Sequence, residues 1–171
     1  MFSYEYRCDL CDYSGFASWG NPGYYVFSDG ERMPARTQPV WCKSCSTMTL
    51  AEDIPPVTSL ADRIQQLHSR TLSDEELQFI ADLNDSLEVH IQRCLDQCHL
   101  MIARFQDRHI PNRCIECGGH DFMLLQTDEG MMVDAFPHPE CAGMIRQKSQ
   151  SHCIPSHGFL LDAQGNRIRE T

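Results

Sequence analysis

The stretch "FPHPECAGMI" (residues 136–145) lies a short interval downstream of "CIECGG" (residues 114–119), and the role given to its histidine decides how this chain is built. Each stretch offers two donors separated by two residues, Cys114 and Cys117 in the first, His138 and Cys141 in the second. Each is followed by small residues, Gly118-Gly119 and Ala142-Gly143, that let the backbone turn beneath the donor atoms. Two such turns complete a tetrahedral shell of three thiolates and one imidazole. The rival fourth donors are Cys153, which would act with Cys141, and the imidazoles of "SHCIPSH", His152 and His157.

Working outward, "DFMLLQTDEGMMVDAF" between the two turns reads as two short apolar strands around Glu129-Gly130. The N-terminal segment repeats the plan. "YRCDLCDY" and "WCKSC" place Cys8/Cys11 and Cys42/Cys45 on either side of thirty residues, which suits a four-sulfur shell for zinc or iron. Inside that interval "YYVFSDGERM" reads as a hairpin turning at Asp29-Gly30.

This arrangement resembles the zinc ribbon, and the resemblance covers the two ends of the chain. It implies a closed site in each: Cys8, Cys11, Cys42 and Cys45 in one, Cys114, Cys117, His138 and Cys141 in the other. The first 45 residues are also similar to rubredoxin, through Tyr6, Cys8, Cys11, Tyr13, Trp41, Cys42 and Cys45. That likeness implies a redox-active iron at the N-terminal site. Asp12, Lys43 and Ser46 depart from it, and zinc is the first expectation.

The middle segment is helical in pattern. Pro55-Pro56 ends the first ribbon, and a short helix is expected from Ser59 with Leu60, Ile64 and Leu67 on one face. Ser73 followed by Glu76 is a capping box. From there Leu77, Ile80, Asn84, Leu87, Ile91, Cys94, Cys98, Met101 and Phe105 recur at spacings of three and four, which predicts one amphipathic helix over 74–109. Such a helix spans about 35 residues, or roughly 50 Å, and needs a partner for its apolar stripe. That partner is the short helix, a ribbon, or a second copy of the chain. Asn84 on the stripe suits a parallel pair in register. The charge split suits antiparallel packing: residues 71–91 carry six acids and no Lys or Arg, whereas 93–113 carry four Arg against two Asp. Cys94 and Cys98, one turn apart with His99 following, offer a metal half-site on one helix face, but both fall on the stripe and read first as core. Past Cys141, "MIRQKS" reads as a strand and "GFLLDAQGNRIRE" as a hairpin turning at Gly165-Asn166.

The fold expected is therefore α+β: a zinc ribbon over 1–56, a helical arm over 57–110, and a second ribbon with a terminal hairpin over 111–171. Composition narrows function. The formal charge is −10, spread over all three segments, and Lys occurs only at 43 and 148. Such a surface repels phosphate backbones, so nucleic acid is disfavoured as a partner. Six of ten cysteines in C-x-x-C pairs, without a signal-like start or a long apolar run, suggest an unprocessed cytoplasmic protein that holds metal, with no membrane. Closed sites leave no position for substrate, so no enzymatic activity is expected. The reading that follows is an adaptor or regulatory subunit with two zinc ions, contacting a protein or itself through helix 74–109. A zinc-ribbon protein associated with nucleic acid, and an iron electron carrier, are the alternatives.

Overall fold

The chain's computed structural model describes residues 2–18, 23–108, 110–127, 131–152 and 158–168. It is a mixed α+β structure in two compact units. One unit joins both ends of the chain, Met1–Ile54 with Ile110–Thr171, and the other is Pro55–His109. The expectation of two separate ribbons is corrected here, because strands from the two ends pair with each other.

Three small sheets make the first unit. In one, β1 (Phe2–Cys8) lies between β2 (Ser14–Ser18) and β9 (Met144–His152), and β8 (Ala135–Pro137) closes the far edge. The β1–β9 pairing is antiparallel and matches Cys8 with Ile145. In the second, the hairpin of β3 (Gly23–Val26) and β4 (Arg32–Pro34) turns at Asp29-Gly30 as its sequence predicts, with Gly30 at φ +82°. Parallel pairing of β3 with β10 (Phe159–Asp162) adds the terminal hairpin, completed by β11 (Arg167–Ile168). In the third, β5 (Thr37–Cys42) lies between β6 (Thr47–Glu52) and β7 (Phe122–Leu124), with Cys42 opposite Phe122.

The hairpin expected between Cys117 and His138 is thus divided. Its first strand, β7, joins β5, and its second, β8, joins β9. A single bridge, Gln126 with Met132, still links the two arms, and the Glu129-Gly130 turn lies outside the described residues. The division lets both arms contribute to one core of Tyr6, Ala17, Trp41, Met48, Leu125, Met132, Phe136 and Ile145. Tyr6 donates its hydroxyl to the carbonyl of Val133 at 2.8 Å, so a fully buried phenol has a partner. Glu52 is also fully buried. It accepts from the Tyr25 hydroxyl at 2.8 Å and from the Arg113 amide at 3.1 Å, which joins the end of β6 to β3 and to the chain entering Cys114. Tyr25 and Phe27 are buried, and only Tyr24 of that aromatic run is exposed, so the run serves as core and not as a stacking platform.

The second unit holds α1 (Val57–His68), α2 (Asp74–Asp82) and α3 (Leu87–Phe105). The single helix expected over 74–109 is broken, and Asn84 breaks it. Asn84 takes the left-handed conformation at φ +51°; its amide bonds Ala81 O at 3.0 Å and the next amide, of Asp85, bonds Ile80 O at 3.1 Å. These two bonds form a Schellman stop. Ser86 then caps α3 by accepting from the Val89 amide. Asn84 is exposed, so it sets no helix register. Arg70 ends α1 in the same way, at φ +56°. Because the chain reverses, the unit supplies its own partner for the apolar stripe: Leu60 and Leu67 of α1, Ile80 of α2, and Leu95, Cys98, Met101 and Phe105 of α3 are buried. No described helix is long and apolar enough to cross a membrane.

Candidate metal centres

The four two-donor turns are nested. The first converges with the fourth and the second with the third. Cys8, Cys11, His138 and Cys141 form one cluster and Cys42, Cys45, Cys114 and Cys117 the other, with all donor atoms of each within 4.8 Å of one another. All eight expected residues therefore lie in four-donor clusters, but the grouping differs from the expected one. Cys8/Cys11 do not meet Cys42/Cys45, and Cys114/Cys117 do not meet His138/Cys141. The implied rubredoxin site is lost with that grouping, since its two halves belong to different clusters.

Strand pairing explains the nesting. β1 runs into Cys8, and β9 begins just after Cys141, so antiparallel pairing of Cys8 with Ile145 brings the first and last turns to one end of their sheet. Likewise β5 runs into Cys42 and β7 begins just after Cys117, and the Cys42–Phe122 register brings the middle turns together. Backbone bonds tie the turns directly. The Asp9 amide donates to Met144 O at 3.0 Å, and Asp9 Oδ1 accepts from the Met144 amide at 2.8 Å.

The geometry fits a tetrahedral ion. In the first cluster Cys8 Sγ is 3.5 Å from Cys141 Sγ, Cys11 Sγ is 3.8 Å from Cys141 Sγ, and His138 Nδ1 is 3.3 Å from Cys11 Sγ and 3.0 Å from Cys141 Sγ. In the second, Cys42 is 3.6 Å from Cys117 and Cys45 is 3.8 Å from Cys114, sulfur to sulfur. An ion bound to sulfur at about 2.3 Å has tetrahedral edges of about 3.8 Å. Three of the four donor turns also aim an amide at a sulfur: Leu10 at Cys8, Gly119 at Cys117 and Gly143 at Cys141, all at 3.4 Å. A Cβ on Gly143 would stand 2.7 Å from Cys8 Sγ and 2.7 Å from Leu10 Cβ, so only glycine lets the last turn approach the first. Gly118, at φ +71°, turns the chain beneath Cys117.

Crowding the thiols drives their titrations apart. Burial works to raise Cys8, but the Leu10 and Cys11 amides and the Cys141 and Cys11 thiols outweigh it and bring Cys8 down to about 6. The Gly143 amide lowers Cys141, but burial and the neighbouring Cys8 and Cys11 prevail and push it up to about 11. In the second cluster burial dominates at Cys45, which is pushed up, and at Cys114, which rises to about 11. Burial opposes Cys117 as well, yet the Gly119 amide and three thiols hold it below its ordinary value. A divalent cation removes this conflict by accepting every thiolate at once.

Aromatic rings wall the first cluster. The His138 ring stands 5.3 Å from the Trp41 ring and 5.1 Å from Tyr13, and Trp41 directly precedes Cys42. His138 is accordingly buried, at 6% exposure, and is not a solvent-facing loop residue. Of its sequence rivals, Cys153 and His157 lie outside the described residues, and His152 is exposed on β9 opposite Phe2.

A third cluster joins Cys94 to residues other than the Cys98 and His99 that its sequence neighbourhood suggests. Glu76, His90 and Cys94 bring their donor atoms within 4.8 Å in the helical unit. Glu76 had been legible only as a capping residue. Its amide does donate to Ser73 Oγ at 3.2 Å, but its carboxylate turns away to Arg63 and His90. Cys94, expected in the apolar seam, is only partly buried and faces His90, whereas Cys98 is buried and His99 exposed. The available signal was the H-x-x-x-C spacing of His90 and Cys94, which shares one helix face. Comparison with known proteins finds no matching family model, no matching curated protein and no matching solved structure.

Proposed function

We propose that this chain is a zinc-stabilised adaptor or regulatory subunit, in which two structural zinc ions hold the end-to-end unit together and the helical unit meets a partner protein. Sulfur-rich four-donor sets suit zinc, and a filled shell leaves no position for a substrate. The sites therefore serve stability. Metal binding would fasten the four donor turns around the core that both ends of the chain share.

One observation supports a contact surface on the helical unit. Leu77, Phe79, Leu83 and Val89 are exposed at 44%, 55%, 55% and 50%, outside the core that α1, α2 and α3 complete among themselves. Exposed apolar residues gathered in one short segment favour a contact there. They sit in the segment 71–91, whose six acids have no Lys or Arg among them. The partner that fits is a protein segment with apolar side chains framed by Lys and Arg, and a reducing, cytoplasmic setting suits the thiolate sites.

The test is cross-linking of the zinc-loaded full chain to partners captured from lysate. Cross-links should map to 74–89, and Phe79→Asp with Leu83→Asp should abolish capture while leaving metal content unchanged. Cross-links mapping to the sheets would overturn the reading, and so would capture unaffected by the double substitution. Iron in the freshly purified protein, visible as absorbance, would instead favour electron transfer.

A further inference from the structure

The helical unit carries a convergence of donors that neither four-donor cluster explains. His90 Nε2 lies 2.9 Å from Glu76 Oε1 and 3.4 Å from Cys94 Sγ. His90 is 8% exposed, while Glu76 and Cys94 are partly accessible. The three residues come from α2 and α3, on either side of the Asn84 stop, so the site exists only because the chain reverses there.

Both neighbours approach the same ring nitrogen, and that decides the chemistry. A relay that activates a cysteine uses the two imidazole nitrogens for different tasks, one toward the thiol and the other toward the carboxylate. Here Nε2 faces both. One nitrogen holds one proton or one lone pair, so it cannot serve as donor to Glu76 and as acceptor from Cys94 at once. A metal ion satisfies all three groups together, with thiolate, neutral imidazole and carboxylate each turning a lone pair toward it. Arg63, which also donates to the Glu76 carboxylate, then holds that ligand in orientation, as partners behind a metal shell commonly do.

We propose that Glu76, His90 and Cys94 form a third metal site, selective for a divalent transition ion and open at its fourth position. The mixed sulfur, nitrogen and oxygen set suits zinc, cobalt or copper and excludes calcium and magnesium, which take oxygen shells. With three protein ligands, the remaining position takes water or an external donor, as in sites that exchange or activate what they bind. The ion also clamps α2 to α3, so metal occupancy stabilises the segment that carries Leu77, Phe79 and Leu83. The site is independent of the role assigned to the two four-donor clusters.

The experiment titrates cobalt(II) into the full chain already loaded with zinc, following sulfur-to-cobalt charge-transfer absorbance and confirming the count by native mass spectrometry. The wild-type chain should take one further equivalent with a thiolate band, released by a mild chelator that leaves the zinc in place. Cys94→Ser should abolish that band, His90→Gln and Glu76→Gln should each lose the extra equivalent, and His99→Gln should change nothing. Should Cys94→Ser fail to fold, the His90 and Glu76 variants decide. Uptake of no extra equivalent by the wild-type chain overturns the proposal, and so does an extra equivalent that survives in His90→Gln and Glu76→Gln. The comparison is a difference of one ion between variants, so it stands whatever metal count the four-donor clusters show.

Discussion

Cys8 Sγ lies 3.5 Å from Cys141 Sγ, although 133 positions of chain separate the two residues. That contact closes a loop containing nearly the whole protein, and inside it the Cys42/Cys45 and Cys114/Cys117 turns close a second. Metal at either cluster would thus fasten distant segments, and each ion would act on the shared core of the end-to-end unit.

The nested grouping makes a specific prediction for metal counts. Cys8→Ser and Cys141→Ser should each lose the same single ion, and combining them should lose no more. Cys8→Ser combined with Cys114→Ser should lose two. Native mass spectrometry of the full chain reads this directly, and a Cys8/Cys42 pair that loses only one ion would restore the sequential grouping.

Gly143→Ala should impair one cluster selectively. The added Cβ meets Cys8 Sγ and Leu10 Cβ at 2.7 Å each, so the first and last turns must separate. Competition with a chromophoric chelator should show an affinity loss of about tenfold or more at the Cys8 cluster. The Cys42 cluster should remain unchanged.

Asn84 offers a test of the helix break. A residue other than glycine in the left-handed region costs about 1 kcal/mol, and asparagine tolerates it better than most. Asn84→Ala should therefore destabilise the helical unit by about 1 kcal/mol, and Asn84→Gly should be neutral or slightly stabilising, by urea unfolding followed by circular dichroism. A continuous helix over 74–109 demands the opposite order, since alanine would strengthen it and glycine weaken it.

Glu52 tests the junction of the sheets. Its buried carboxylate accepts from Tyr25 and from the Arg113 amide, so Glu52→Ala removes an acceptor from one buried and one partly buried donor. The expected loss is about 2 kcal/mol in metal-loaded protein, with Tyr25→Phe costing about 1 kcal/mol. Equal stability of Glu52→Ala and the wild type in chemical denaturation would contradict this.

Local features were legible because local chemistry dictates them. The Asp29-Gly30 and Gly165-Asn166 turns, the Ser73 cap and the two-residue spacing that brings His138 into a cluster beside Cys141 all follow from a few adjacent residues. The helical stripe was legible as well, but its continuity was not. Asn84 fits a seam position by spacing, and only the reversal into α3 turned it into a stop. The Glu76, His90 and Cys94 cluster was hidden for the same reason, since Glu76 reaches His90 only after that reversal.

The grouping of donors lay beyond any local reading. A turn that offers two donors accepts any second turn equally, because a tetrahedral ion has no memory of chain order. By itself the sequence determined which eight residues could bind metal and how each pair is spaced. Which pair meets which was decided by tertiary structure, through the antiparallel pairing of β1 with β9 and of β5 with β7. Those pairings bury Tyr6, Trp41, Phe136 and Ile145 in one core drawn from both ends of the chain, whereas two separate ribbons would divide these residues between them.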